Sequence, residues 1–170
     1  MKTRVLAIAL LLTVVMALNI VNASPPSGKT VQAHGQCTEI WVALSWVYVG
    51  HFDSNYPFLE HETVSGPWQV TAQPDLDKAE FNAAVKTSVG VVKFELVRVD
   101  SVEFDGSTLV IEGAIKEKYK GHSYTFDPTS GSGISGTKIT VDLGSGTMKL
   151  DLNNDDNNLI GTLESGGSHP

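Results

Sequence analysis

Two stretches of the chain gather side chains able to hold a metal ion. In the first, His51, Asp53, Glu60, His61 and Glu62 fall within twelve residues. Imidazole and carboxylate are good ligands for zinc or copper, so His51, Asp53 and His61 are a candidate transition-metal set. Local geometry works against it: in an extended segment Glu60 and Glu62 point one way and His61 the other. A polar loop with surface histidines is the commoner outcome of such a run. In the second stretch, Asp151, Asn153, Asp155, Asp156, Asn157 and Asn158 crowd oxygen ligands into eight positions. Calcium takes roughly six to eight oxygens, often from one loop, which makes Asp151, Asn153, Asp155 and Asp156 candidate ligands and calcium the candidate cofactor. The run opens Asp-x-Asn-x-Asp like an EF-hand loop, but Asp156 replaces the glycine and Thr162 the closing glutamate. A β-hairpin calcium loop is one reading. An Asn/Asp turn is the other, because both residues tolerate left-handed backbone.

Other chemistries find less. Gly131-Ser132-Gly133 and Gly144-Ser145-Gly146 have the serine of a nucleophile elbow without its strand–turn–helix setting. Glycine and serine there read as turns. Cys37 lies before a very apolar segment, with no thiol-enzyme motif around it. No glycine-rich phosphate loop occurs. Trp41, Trp46, Trp68, Tyr48, Tyr56 and Phe58 have faces on which a sugar can stack, although aromatic residues of a β-domain usually serve the core. The chain therefore reads as non-enzymatic, with no catalytic residue assigned.

The setting comes from the first 23 residues. Met-Lys-Thr-Arg precedes an apolar run from Val5 to Leu18, then Val21-Asn22-Ala23. That is the layout of a secretory signal peptide, and the run is shorter than the roughly 20 residues that span a bilayer. The expected divisions are a signal peptide (1–23), a flexible leader (24–36), a β-domain (37–165) and a tail (166–170). The expected location is secreted or cell-surface. Removing the signal takes Lys2 and Arg4 but no acid, leaving ten basic against nineteen acidic side chains, a net charge of −9 with histidines neutral. Such a surface disfavours nucleic acid and anionic membranes. No later segment is long and apolar enough to span a membrane. Cys37 is the only cysteine, so it is either buried or pairs with another chain, and burial is the simpler expectation.

Period-two alternation dominates the remainder. Residues 38–49 are apolar on both faces, which predicts a strand buried on both sides. Gly66-Pro67 interrupts Thr63 to Ala72 and predicts an edge or bulged strand. Phe81, Ala83 and Val85 alternate with Glu80, Asn82 and Lys86. The phase slips between Leu96 and Val97, which predicts a bulge. Asp105-Gly106-Ser107 and Gly144-Ser145-Gly146 are hairpin turns, residues 127–137 a long loop, and Leu159 to Leu163 a last short strand. Asp77 to Lys86 has a helix-cap pattern, but its alternation fits a strand better. The expectation is an antiparallel β-sandwich or open barrel of about eight or nine strands.

Val64-Ser65-Gly66-Pro67-Trp68, the alternating run Lys78 to Lys86, Phe104 to Gly113 ending in glycine, Tyr124-Thr125-Phe126 and Thr137 to Val141 occur together in this order. This resembles the accessory β-domain of bacterial and archaeal envelope proteins called post-COAP, over about 100 residues. The resemblance implies an extracytoplasmic β-domain and supplies no active-site residue. The functional expectation is a structural or interaction role, as an envelope component, fibre subunit or accessory module. Its partners would be further copies of itself or other envelope proteins, with residues 38–49 as the strand to donate. The alternative is an extracellular binder of calcium, a transition metal or a carbohydrate, and a secreted hydrolase stands third.

Overall fold

A computed structural model describes residues 28–42, 61–88, 90–130, 136–152 and 157–169. Ten strands run in chain order: β1 (Thr30–Val42), β2 (His61–Thr63), β3 (Pro67–Gln73), β4 (Lys78–Thr87), β5 (Gly90–Phe104), β6 (Thr108–Tyr119), β7 (His122–Phe126), β8 (Lys138–Asp142), β9 (Thr147–Asp151) and β10 (Asn157–His169). Among the described residues the helical turn is the 3-10 segment Pro74–Leu76. All pairings are antiparallel, in the order β10-β9-β8-β6-β5-β4-β3-β1, and β10 pairs with β1 to close the ring. The architecture is thus a closed eight-stranded barrel, with β2 added to β1 and β7 to β6. It is all-β, antiparallel and a barrel as expected, with the barrel closed.

Alternation explains the barrel. Val31, Ala33 and Cys37 of β1, Trp68, Val70 and Ala72 of β3, and Phe81, Ala83 and Val85 of β4 point inward and are buried. So are Leu109, Ile111 and Ile115 of β6 and Met148 and Leu150 of β9. Gln32, His34, Gln69, Thr71, Glu80, Asn82 and Lys93 alternate with them on the outside and are exposed. Apolar inside and polar outside is the inverse of a membrane-spanning barrel, whose apolar band faces lipid. Among the described residues no helix is long and apolar enough to cross a membrane.

The expected phase slip is a bulge. Leu96 pairs with Ile115 and Arg98 with Ala114, so Val97 is an extra residue; a second shift follows between Val99 and Ser101. Both expected hairpin turns are present. Asp105 Oδ1 accepts from the backbone N–H of Ser107 (2.8 Å) and Thr108 (2.7 Å), with Gly106 at φ 107°. Asp142 Oδ1 accepts from Gly144 N–H (2.8 Å) and Ser145 N–H (3.0 Å).

Four expectations change. Residues 30–36, expected in a leader, form the first half of β1 with Val31 and Ala33 in the core. Gly166 to His169, expected as tail, pair with Ala33 to Thr30, because small residues let the last strand continue along the first. The strand that follows Gly66-Pro67 lies inside the sheet between β1 and β4; Pro67 opens it, where a proline can begin a strand. Finally, the segment 38–42 is bonded within the chain by β10 on one side and β2 on the other, and Trp41 is 42% exposed rather than buried. Residues 43–49 lie outside the described residues.

Candidate functional site

The core fills the barrel: Trp68, Phe81, Phe94, Phe126 and Met148 are all buried in its interior. A ligand must therefore be met outside. The outer face of β1, β3, β4 and β5 carries a trough of about 690 Å³, lined among others by Gln32, His34, Gln36, Gln69, Thr71 and Asn82. Strand register sets its order. His34 pairs with Gln69, Gln69 with Asn82, Asn82 with Glu95, and Glu95 with Lys116. These five side chains form one transverse row across five strands, about 19 Å long at a strand spacing near 4.8 Å. Gln32 and Thr71 pair one step along, and Gln36 lies one step along the other way.

The row changes character along its length. At β1, β3 and β4 it consists of neutral amides, a hydroxyl and an imidazole. Each amide has both donor and acceptor groups. At β5 and β6 it becomes charged: Lys118 makes an ion pair with Glu95, which holds the Glu95 carboxyl below its ordinary range.

Directly beneath the row is one uncompensated acid. Trp68, Ala83, Phe94, Glu117 and Tyr124 are successive partners on the inward face. Glu117 is 3% exposed and its Oε2 lacks a hydrogen-bond partner. Burial raises its carboxyl to about 8, because a low-dielectric interior disfavours the charged form.

Arg98 occupies the other side of the β5 bulge. Its guanidinium donates from Nε (2.7 Å) and Nη2 (2.9 Å) to Asp100, and from Nη1 to Asp127 Oδ2 (2.7 Å) and Thr129 Oγ1 (3.2 Å). Asp127 Oδ1 also accepts from Thr129 N–H at 2.8 Å. The Asp127 carboxyl is held far below its ordinary range, chiefly by Arg98 and Thr129. This cluster pins the start of the β7–β8 loop to β5, with the guanidinium committed to protein carboxylates.

Of the expected metal ligands, His61 and Asp151 lie among the described residues. His61 stacks on Trp41 (ring centroids 4.0 Å apart, planes at 19°), and its Nε2 lies 3.2 Å from Glu39 Oε2. His51 and Asp53 lie outside the described residues. Asp151 is buried at the end of β9, 3.9 Å from Lys149 Nζ, while Asn153, Asp155 and Asp156 lie outside the described residues. Among the described residues no three His, Cys, Asp or Glu side chains converge as metal ligands. Ser145 belongs to the β8–β9 turn, hydrogen bonded to Asp142 and Thr147. Of the aromatic candidates, Trp68 is core and Trp41 is on the surface; Trp46, Tyr48, Tyr56 and Phe58 lie outside the described residues.

The outer row escaped sequence reasoning. Its alternate-position signal is present in Glu80, Asn82 and Lys86, the polar side of one strand. What the alternation does not contain is which strand lies next to which, and therefore which polar residues share a row. Compared with known proteins, the chain matches no protein family, no curated protein and no solved structure.

Proposed function

We propose that this protein is a non-enzymatic carbohydrate-binding module of an extracytoplasmic or envelope setting, using the outer face of the barrel. The observation that carries the reading is the row His34–Gln69–Asn82, flanked by Gln32, Gln36 and Thr71 along one trough. Sugar hydroxyls both donate and accept, and so do primary amides. A sheet presents such groups at fixed strand spacing, so the partners are ordered before the ligand arrives and less freedom is lost on binding. An open trough running across several strands suits a chain better than a small isolated molecule. The signal-like N-terminus and the resemblance to envelope accessory domains support the setting.

Self-assembly through residues 38–49 fits less well, because 39–41 already pair with β10 on one side and with the added strand β2 on the other. The test is native gel electrophoresis through gels cast with soluble polysaccharides, comparing the protein with Gln69→Ala/Asn82→Ala. Retardation by at least one polysaccharide, lost in the double variant at unchanged Tm, supports the reading. No retardation by neutral or acidic polysaccharides overturns it.

A further inference from the structure

The β5–β6 end of the trough runs into a second depression of about 430 Å³ lined by Lys93, Lys116, Lys118, Lys120 and Tyr119 among others. Lys93 and Lys118 line both hollows, so the two are continuous. The depression is unusual for this chain. Beyond the signal-like segment, acidic residues outnumber basic ones nineteen to ten, yet four of those ten basic residues converge here. None of the described residues lining it is acidic. Glu95, at its border, holds Lys118. Among the described residues Lys93, Lys116 and Lys120 have no such ion pair, and Lys120 Nζ sits 5.0 Å from the centre of the Tyr119 ring.

Gathering four lysines costs mutual repulsion, and it presents a local positive field at one end of a trough whose remaining lining is mostly uncharged, with Glu164 at the β10 side and Glu95 paired to Lys118. We infer that the depression makes the trough selective for a carboxylate-bearing polysaccharide, a polyuronate: neutral hydroxyls lie on the amides of β1, β3 and β4, and carboxylates lie on the lysines of β5 and β6. This rests on the trough being a carbohydrate site. The disposition of the charges favours carboxylates spaced along a chain over a single phosphate. Lys93 and Lys118 face each other one strand apart, and Lys116 and Lys118 are alternate residues of one strand, about 6.7 Å apart. The lysines are spread rather than aimed at one point. The depression has neither the arginine fork nor the helix N-terminus that commonly grips phosphate. The overall negative charge opposes a nucleic acid.

The test uses the same gels cast with polygalacturonate, a neutral β-glucan, dextran sulfate or polyphosphate, and the variant Lys120→Gln, whose residue lines the depression but lies outside the transverse row. The expected result is strongest retardation by polygalacturonate, weakened about fivefold in the variant and weakened by added salt, with binding to the β-glucan unchanged. Equal binding of polygalacturonate and β-glucan, with the variant silent, overturns the lysine inference while the carbohydrate reading stands. Tighter binding of dextran sulfate or polyphosphate than of polygalacturonate overturns the choice of carboxylate. Failure of all four polymers to bind overturns the carbohydrate reading itself.

Discussion

The indole Nε1–H of Trp68 donates to the backbone carbonyl of Thr162 at 3.2 Å, tying β3 to β10 across the interior behind β1. This contact requires β1 and β10 to come close, and two glycines permit it. A Cβ on Gly35 would sit 1.9 Å from the Thr162 carbonyl oxygen, and one on Gly161 would sit 2.7 Å from Trp68 Nε1.

Gly161→Ala should therefore destabilise the barrel by overpacking, at about 1–3 kcal/mol. Gly167 has open space around it, so Gly167→Ala in the same strand is the control and should have little effect. Urea unfolding of both variants checks this, and equal midpoints would refute it.

Glu117 predicts how stability depends on pH. Its carboxyl is raised from an ordinary 4.5 to about 8 in the folded chain, so the unfolded chain ionises first. The stability is full below about pH 4.5, declines as pH rises, and levels off above about 8. Each pH unit is worth about 1.4 kcal/mol, so the decline is at most roughly 5 kcal/mol. Glu117→Gln should flatten the slope between pH 5 and 8 and raise Tm at pH 8. Parallel pH profiles for the two proteins would remove Glu117 as the cause.

The Arg98 cluster titrates in the opposite sense. Asp100 and Asp127 are held below their ordinary range by Arg98, so their stabilisation is present above about pH 4 and is lost as pH falls further. Asp127→Asn should leave the barrel folded but speed amide hydrogen exchange at Thr129, whose N–H bonds the Asp127 carboxylate, more than at Ser130, whose N–H bonds the Asp127 backbone carbonyl. Unchanged exchange there would mean that the loop is held by other contacts.

Cys37 is 2% exposed, and burial raises its thiol to about 12. A thiol so placed is a poor nucleophile. The native protein should resist a thiol reagent at pH 8, react fully in denaturant, and run as a monomer without reductant. Rapid labelling of the folded chain, or a disulfide-linked dimer, would contradict the buried position.

Much of this fold is legible in the alternation of single strands. Phe81, Ala83 and Val85 declare an inward face, and the slip at Leu96–Val97 declares the bulge. Closure of the ring is not legible, because pairing of Thr30 with His169 depends on residues 139 positions apart, and no local pattern encodes such a partner. Small polar residues at both ends, Thr30 to Gln36 and Gly166 to His169, read as loose segments for the same reason. The candidate site shares this blindness. Gln69 and Lys116 are ordinary surface residues singly and become one row only through three successive strand pairings. The acidic run after Asp151 attracts notice because its ligands are sequence neighbours, and that adjacency is what makes it conspicuous.

Pairing of the first strand with the last also sets an order of events in folding. β10 is made after the other nine strands, yet it provides one whole side of β1 and the carbonyl that Trp68 needs. Until it arrives, β1 and β9 both present open edges. Loop-closure entropy makes such distant pairings slow, and open edges invite pairing with other chains. The half-made barrel is thus the vulnerable species, and whatever keeps the growing chain apart from its copies must act until the thirteen residues of β10 have docked.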